Sequence, residues 1–348
     1  MGPRTDGPPP LKKLILPALF VGGLFYVTWT RTPEPPQQLV VQGEALGTTW
    51  TLKVSDAPTQ ELEEGLRQIV TAALADVDAS MSTYRSDSEL MKFNEAEALD
   101  PVGLSDGLGA VVAEAMDIGS VSGGAFDVTV GPLVNAWGFG PDKRPIVPTD
   151  ETMQAIQPHV GLDKLELTER GLSKANPEVF VDLSAIAKGY AVDRVVADLE
   201  DAGFTDLLME VGGEIVARGR NPSGAIWRLG IETPSEDGRE VFHVVPLLNA
   251  GMATSGDYRQ FYEVDGRRTS HLIDPRTGQP IEHRLASVTV VHERCSKADA
   301  WATALSVLGE QEGFSLAQKQ GLSAFFIVRN EDGTFQTLAT DSFDALTE

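Results

Sequence analysis

Cysteine is almost absent from this chain of 348 residues, because Cys295 is the only one. A single thiol excludes a disulfide framework within the chain, and it also excludes a zinc site built mainly from cysteines. Near-absence of cysteine is compatible with export from a bacterial cell. The chain is nevertheless well able to form a core, since 42% of its residues are hydrophobic.

Basic residues are also scarce relative to acidic ones. The chain has 28 Lys and Arg against 51 Asp and Glu, which gives a formal net charge of −23. A surface of that sign repels a phosphate backbone, so we expect no nucleic-acid partner. An anionic small substrate would need a local cation, and a bound metal ion could supply one.

Two common phosphate-binding loops are missing, because neither GxGxxG nor GxxxxGK[ST] occurs. The stretch Gly103–Gly107 does match the GxSxG pattern of hydrolases, with Ser105 at its centre. That motif requires a buried strand directly before it, whereas the preceding residues here are polar and include Pro101. We therefore predict that Ser105 caps the following helix.

No apolar run reaches the ~20 residues that span a membrane comfortably, and the longest, residues 14–29, has about 16. Arg4, Lys12 and Lys13 precede it, in the order typical of an export signal or signal anchor. We predict a basic cytoplasmic region (1–13), an uncleaved single-pass anchor (14–30), a Pro-rich tether (31–38) and a body (39–348) outside the bacterial inner membrane, in the periplasm. A cleaved signal and a buried core helix are the alternatives.

The body has strands in clusters rather than in strict alternation with helices, which favours an α+β fold in one domain. The pattern predicts a strand pair within 39–55, further strands at 207–211, 214–217, 227–233, 241–248 and 285–292, and a final hairpin of 323–329 with 334–338. It predicts helices at 59–81, 108–120, 185–202, 296–308 and 311–319.

Two glycine-containing stretches could bind a ligand. Gly123 and Gly124 precede Asp127 in a short β-prone run, and a helix C-cap followed by a strand is the simpler interpretation of that stretch. Residues 181–189 are predicted to join a strand to a helix, with Asp182 placed to cap the helix and Lys188 favouring an anion. Plain capping explains the second stretch equally well.

Asp299 and Thr303 are spaced i and i+4 in a predicted helix, so they share one face. A carboxylate and a hydroxyl one turn apart begin a site for a hard metal ion, although such residues are also common on solvated faces.

The chain has only five histidines, and one of them, His271, stands just before a turn rich in Pro and Gly. Asp265 and Gly266 predict a hairpin whose return strand leads to His271 and then to the turn Asp274–Gly278. A histidine at the end of a strand, facing a rigid loop, can act as a base or as a positioning group. A purely structural histidine is the alternative.

Eight segments together resemble the ApbE family, the FAD:protein FMN transferases. They occur in family order and cover most of the body. The segments are GTTW (47–50), MSTYRSDSELMKFN (81–94), GAFDVTVGPLVNAWGFG (124–140), DLSAIAKGYAVD (182–193), EVGGEIVARG (210–219), ATSGDY (253–258), SHLIDPRTGQPI (270–281) and SKADAWATAL (296–305).

The resemblance implies an ApbE-like α+β domain of clustered mixed or antiparallel strands with packed helices. It also implies an enzyme that uses Mg²⁺ and FAD, moves FMN to a threonine of an acceptor flavoprotein at a Ser-Gly-Ala-Thr-like site, and releases AMP. Such acceptors are subunits of membrane redox complexes. A metal-dependent FAD pyrophosphatase that yields FMN and AMP, and a non-catalytic FAD-binding protein, remain the alternatives.

The resemblance also assigns residues. His271 would be the catalytic group, and Asp274 could orient it. The flavin contacts would be Leu46, Tyr84, Ala125, Phe126, Asp127, Asp182, Lys188 and Ile273, although the family often has methionine where this chain has Leu46. The metal ligands would be Asp299, Thr303 and the backbone carbonyl of Ala185.

Overall fold

The computed structural model describes residues 38–55, 62–97, 99–140, 146–235, 240–258, 261–264 and 267–347. The predicted basic region, anchor and tether therefore lie outside the described residues, apart from residue 38. Within the part that the structure describes, no helix is both long and apolar enough to cross a membrane. Residues 38–348 form one compact unit.

Eight strands form one antiparallel sheet in the order β1-β2-β5-β6-β9-β14-β15-β16. Their bounds are Gln38–Ala45 (β1), Thr48–Ser55 (β2), Leu207–Val211 (β5), Glu214–Arg218 (β6), Ala250–Gly256 (β9), Leu285–His292 (β14), Ser323–Arg329 (β15) and Phe335–Ala339 (β16). Four two-stranded pairs accompany the sheet: Leu165–Thr168 (β3) with Gly171–Lys174 (β4), Trp227–Glu232 (β7) with Val241–Leu247 (β8), Phe261–Val264 (β10) with Arg267–Ser270 (β11), and Ile273–Asp274 (β12) with Gln279–Pro280 (β13).

The described residues contain eight α-helices and two short 3₁₀ turns. The helices are Leu62–Met81 (α1), Glu89–Glu95 (α2), Asp106–Val121 (α3), Gly131–Ala136 (α4), Asp150–Ile156 (α5), Ala187–Asp201 (α6), Cys295–Gln320 (α7) and Asp341–Thr347 (α8). The 3₁₀ turns are Gln157–His159 and Leu162–Lys164.

Neighbouring residues of the central strands point to opposite faces of the sheet, as strand geometry requires. Met209 and Phe326 belong to the main core, where α1, α3, α6 and α7 pack. Leu208 and Phe325 belong to a smaller core on the other face, which the β7–β8 pair and Phe343 of α8 cover. The sheet is thus buried on both sides.

A third, small apolar cluster lies away from the sheet. Leu133, Trp137, Val160 and Ile273 form its buried centre. It joins the region of α4 and α5 to the turn that follows His271, and it therefore helps to place that turn.

Most predicted elements are confirmed, including the antiparallel α+β class and the final hairpin. Ser105 caps α3, because its hydroxyl accepts a hydrogen bond from the Leu108 amide. The two helices predicted at 296–308 and 311–319 are the halves of α7, which Gly309 interrupts with a φ of 78°. That conformation costs glycine little, and it explains why the apolar pattern breaks there.

Several sequence interpretations were wrong or incomplete. The β-prone run around Asp127 forms no strand, and α4 begins shortly after it at Gly131. Residues 179–183 are likewise not a strand, and α6 begins at Ala187 without a side-chain cap, so Asp182 does not cap it. The short helices α2, α4, α5 and α8 were not predicted, since short helices carry little periodic signal. Strand β9 was not predicted because its sequence AGMATSG consists mostly of small residues.

Candidate functional site

Close contact between α6 and α7 creates the centre of the candidate site. A β-carbon on Gly189 would lie 2.5 Å from the Cys295 carbonyl oxygen, and one on Gly251 of β9 would lie 2.7 Å from the Cys295 α-carbon. Only glycine allows backbones to approach so closely. The contact brings the start of α6 against the first turns of α7.

Three charged side chains meet at this contact. The Lys188 ammonium on α6 lies 3.2 Å from a Glu214 carboxylate oxygen and 3.8 Å from Oδ2 of Asp299. The Gly189 amide donates a 3.0 Å hydrogen bond to the same Asp299 oxygen. Residues from α6, β6 and α7, which are distant in sequence, therefore share one small volume.

Burial has the largest effect on the carboxyl groups of this cluster, and it outweighs their attraction to Lys188. Glu214 and Asp299 are each only 5% exposed. Burial, together with the nearby Asp299 charge, raises the pKa of Glu214 to about 8, and burial also raises the pKa of Asp299. Burial acts to lower the pKa of Lys188, but the charges of Asp299 and Glu214 outweigh it and raise that pKa.

The donor set suits a hard cation. Two buried carboxyl groups share one ammonium, and Oε2 of Glu214 has no hydrogen-bond partner among the described residues. Additional positive charge would stabilise such a group. The structure describes no cluster of three or more His, Cys, Asp or Glu side chains that could hold a metal, so any ion here would depend on few carboxylates plus hydroxyl or carbonyl oxygens.

The other two predicted metal ligands flank this group. Thr303 lies one helical turn after Asp299 on α7 and is half-buried. Ala185 is half-buried in the turn just before α6, three residues ahead of Lys188. The predicted set of Ala185, Asp299 and Thr303 therefore stays a prediction, drawn from two neighbouring elements.

The segment of Ala125, Phe126 and Asp127 is buried and lies beside Asp182. The Asp182 amide donates a 2.7 Å hydrogen bond to the Val128 carbonyl, which joins two stretches that are far apart in sequence. Asp127 accepts from the amide and the hydroxyl of Thr129 at 2.7 and 2.6 Å. Burial raises the pKa of Asp127 despite these bonds.

The Asp182 carboxylate stabilises a turn rather than a helix end. Its Oδ1 accepts from the Ser184 amide at 2.8 Å and from the Ser184 hydroxyl. The preceding residue, Val181, is bound on both its amide and its carbonyl by the side chain of Asn94 at 2.8 and 2.9 Å. Asn94 thus fixes the approach to Asp182 and Lys188.

The turn after His271 lies against the Gly123–Gly124 stretch. A β-carbon on Gly124 would be 3.7 Å from Cγ of Arg276. Asp274 binds the Arg276 guanidinium at 2.7 and 2.9 Å and accepts from the Arg276 amide at 3.0 Å. Asp274 therefore has a strong structural partner within its own turn, and a role in orienting His271 stays a prediction.

Leu46 and Tyr84 lie at the periphery. Leu46 forms the tip of the β1–β2 hairpin with Gly47, and its φ is 52°, a conformation that is costly for leucine. The same end of β2 packs on Gly212, just before Glu214. Tyr84 is 74% exposed in the loop between α1 and α2, where its ring could meet a ligand.

Sequence reasoning did not identify Glu214. A signal was present, because Gly212 and Gly213 place an acidic residue at the start of a strand that is otherwise apolar. An acid at a buried strand end is uncommon without a partner. The partner, Lys188, could not be identified from spacing.

Comparisons with known proteins point in one direction. The family model described as "ApbE family" matches residues 46–326. A Vibrio cholerae protein named FAD:protein FMN transferase is 43% identical over 311 residues, which is 89% of this chain and 93% of that one. A Haemophilus influenzae protein of the same name is 44% identical over 316 residues, covering 88% of this chain and 91% of its own length.

Solved structures agree with the sequence matches. The flavin transferase ApbE from Vibrio cholerae superposes with a TM-score of 0.83 at 42% identity, covering 90% of this chain and all of that chain. The apo form of the Pseudomonas stutzeri flavinyl transferase ApbE gives a TM-score of 0.82 at 40% identity, with 90% and 98% covered.

Proposed function

The chain belongs to the ApbE family, and from that premise we propose that it is an FAD:protein FMN transferase. The observation that carries the proposal is the similarity of nearly the whole body, at more than 40% identity, to bacterial proteins of that name. The site agrees chemically, because a half-buried lysine and two buried carboxyl groups lie where an anionic substrate and a cation could meet.

The reaction joins the FMN half of FAD to a threonine of an acceptor flavoprotein. The threonine oxygen forms a bond to the FMN phosphorus, the bond from that phosphorus to the bridging oxygen breaks, and the bridging oxygen leaves on AMP. A threonine hydroxyl is a weak nucleophile at neutral pH and needs a nearby base. His271 accepts its proton, since an imidazole titrates near pH ~6.5.

Mg²⁺ is the metal that the donor set fits best. Asp299, Thr303 and the Ala185 carbonyl would hold it, and such a small number of protein ligands is usual for this ion. When bound, it would neutralise charge on the pyrophosphate and on the departing AMP. The protein is strongly acidic, so a local cation would offset the electrostatic repulsion between its surface and FAD.

The remaining predicted residues hold FAD. Lys188 offers an ammonium to the substrate's phosphates, and the turn that Asp182 and Ser184 stabilise directly precedes its helix. Leu46 and Tyr84 offer apolar and aromatic surface to the isoalloxazine ring. Ala125, Phe126, Asp127 and Ile273 lie in the two stretches that meet at Gly124 and Arg276.

We place the enzyme on the outer face of the bacterial inner membrane, anchored by residues 14–30, with acceptors among the subunits of membrane redox complexes. The basic-then-apolar order of the N-terminal sequence supports that placement. The acceptor is expected to present its threonine in a Ser-Gly-Ala-Thr-like segment.

An acceptor-labelling assay tests the activity. The purified chain is incubated with FAD, Mg²⁺ and an acceptor bearing such a segment, and intact mass is measured beside an acceptor with threonine changed to alanine. We expect one FMN on the threonine protein and none on the control. AMP release at a rate indifferent to the acceptor would indicate a pyrophosphatase, and tight FAD binding without AMP would indicate a binding protein. Either result contradicts the proposal.

A further inference from the structure

The imidazole of His271 contacts an aromatic ring from a distant part of the chain. Phe139, which follows α4, meets His271 edge to face, with ring centroids 6.2 Å apart and an interplanar angle of 65°. Phe139 also stacks on Tyr262 of β10, with centroids 4.6 Å apart and an angle of 15°. Phe139 thus lies in contact with both His271 and the strand that begins the histidine's hairpin.

Two hydrogen bonds connect the segment 137–139 to residues on either side of His271. Before the histidine, the Tyr262 hydroxyl donates to the Gly138 carbonyl at 3.0 Å. After it, the Trp137 indole nitrogen donates to the buried Gly278 carbonyl at 2.9 Å. We call Trp137, Phe139 and Tyr262 the aromatic clamp.

The elements around His271 need this external support. β10 with β11 and β12 with β13 are isolated two-stranded pairs, and such pairs are marginally stable by themselves in water. Burial of Ile273 against Leu133 and Trp137 adds apolar contact to the clamp's hydrogen bonds. α4 and the residues that follow it therefore contribute to the order of the loop, beside Arg268 of β11, which donates to the Asp257 carbonyl at 2.9 Å.

We propose that the aromatic clamp is a positioning element that sets the orientation of the His271 imidazole, and through it the rate of the proton transfer assigned to that residue. The second part rests on the proposed function; the first does not. A base must lie within hydrogen-bonding reach of the proton it accepts, and a misplacement of about 1 Å can reduce a rate about 100-fold. The clamp acts through the histidine and not through contact with the substrate.

Kinetics of the full-length chain test the rate effect. We expect Phe139→Leu to lower kcat for FMN transfer about 10-fold, with KM for FAD changed less than about 2-fold. The conservative Phe139→Tyr should retain most of kcat. Tyr262→Phe removes one hydrogen bond and keeps the ring, and Trp137→Phe removes one hydrogen bond and replaces the indole by a smaller ring; both should give intermediate losses.

A matched control separates positioning from general stability. Phe242 packs against the smaller core, which does not contain the clamp. Its ring centroid lies 6.3 Å from that of Phe335 and 6.4 Å from that of Phe325. Phe242→Leu should lower Tm without lowering kcat of the folded enzyme. If it lowers kcat as much as Phe139→Leu does, the clamp has no special role and the proposal fails.

The orientation itself has a spectroscopic readout that needs no acceptor. With isotope-labelled histidine, the three-bond couplings about χ1 of His271, whose resonances are those missing in His271→Asn, report its rotamer. We expect one rotamer in the wild-type chain and in Phe242→Leu, and averaged couplings in Phe139→Leu. Unchanged couplings in Phe139→Leu would overturn the proposal. If the wild-type chain labels no acceptor and the couplings still change, the proposed function fails while the orienting role of the clamp is supported.

Discussion

The ammonium of Lys188 lies 3.2 Å from the Glu214 carboxylate, closer than its 3.8 Å separation from Asp299. Glu214 comes from β6 and Lys188 from α6, so their meeting depends on how that helix packs on the sheet. The Glu214 side chain is buried, because only 7% of it is exposed. The ionisation of Glu214 is therefore coupled to the stability of the fold.

We expect the stability of the protein to fall as pH rises through the titration of Glu214. Its pKa is about 8 in the folded protein against an ordinary value of 4.5, so between these values the folded state retains a proton that the unfolded state releases. The stabilisation is full below pH 4.5 and is lost by about pH 8. Urea unfolding in EDTA between pH 5 and pH 9 should show a decline on the order of 2 kcal/mol, less in Glu214→Gln. If the unfolding free energy declined equally with pH in the wild type and in Glu214→Gln, Glu214 would not be the cause.

Replacing Asp299 with asparagine should abolish metal-dependent turnover. The change keeps the shape of a buried side chain but removes the charge that the proposed ion requires, and we expect at least about a 100-fold loss of kcat, the lower end of the range for one strong electrostatic contact. Mn²⁺ binding, followed by electron paramagnetic resonance, should be lost in parallel. The control is Asp198→Asn on α6, whose carboxylate pairs with Arg194 at 3.0 Å and is 26% exposed. Undiminished Mn²⁺ binding in Asp299→Asn would exclude Asp299 from the metal ligands.

Gly189→Ala should destabilise the fold and disturb the site together. Its β-carbon would lie 2.5 Å from the Cys295 carbonyl, so α6 and α7 would have to separate. Such overpacking typically costs about 1–3 kcal/mol. Thermal unfolding should show a lower Tm, and FAD affinity should fall because Lys188 and Asp299 move apart. Gly65→Ala, on the exposed face of α1 with no atom within 4 Å, should leave both quantities unchanged or raise Tm slightly. A Tm unchanged by Gly189→Ala would contradict the close contact.

Leu46→Asn should increase stability and weaken FAD binding. Leu46 has a φ of 52°, which costs a leucine about 1–2 kcal/mol, whereas an Asn-Gly pair is the preferred tip of a two-residue hairpin. The structure itself has Asn249 at the same φ in another turn. We expect Tm to rise and FAD affinity, measured by calorimetry, to drop several-fold because apolar contact is lost. Val40→Asn, on the strand β1 that leads to this turn and 43% exposed, is the control for affinity. Unchanged affinity in Leu46→Asn would exclude Leu46 from the flavin contacts.

The sequence was sufficient for the main elements and for the family. Period-2 alternation fits β2 because side chains of a strand alternate between two faces, and helical spacing fits α1 and both halves of α7 because 3.6 residues make one turn. Helix α4 escaped detection because six residues do not establish a period, and β9 did so because its sequence AGMATSG is rich in small residues and lacks alternation. The interpretation of Asp182 as a helix cap was wrong, because its carboxylate accepts a hydrogen bond from the Ser184 amide in the turn before α6.

Sequence by itself determined the acidic surface, the lack of disulfides, the α+β class and the family, because composition, periodicity and ordered motifs are properties of the linear chain. Tertiary structure alone decided that Glu214 joins Lys188 and Asp299, and that Phe139 lies against His271. Those contacts depend on the packing of α6, α7 and the residues after α4, and such long-range packing is set by how closely whole elements can approach. Gly189 and Gly251 illustrate this dependence. Because neither has a β-carbon, α6, α7 and β9 can meet at Cys295.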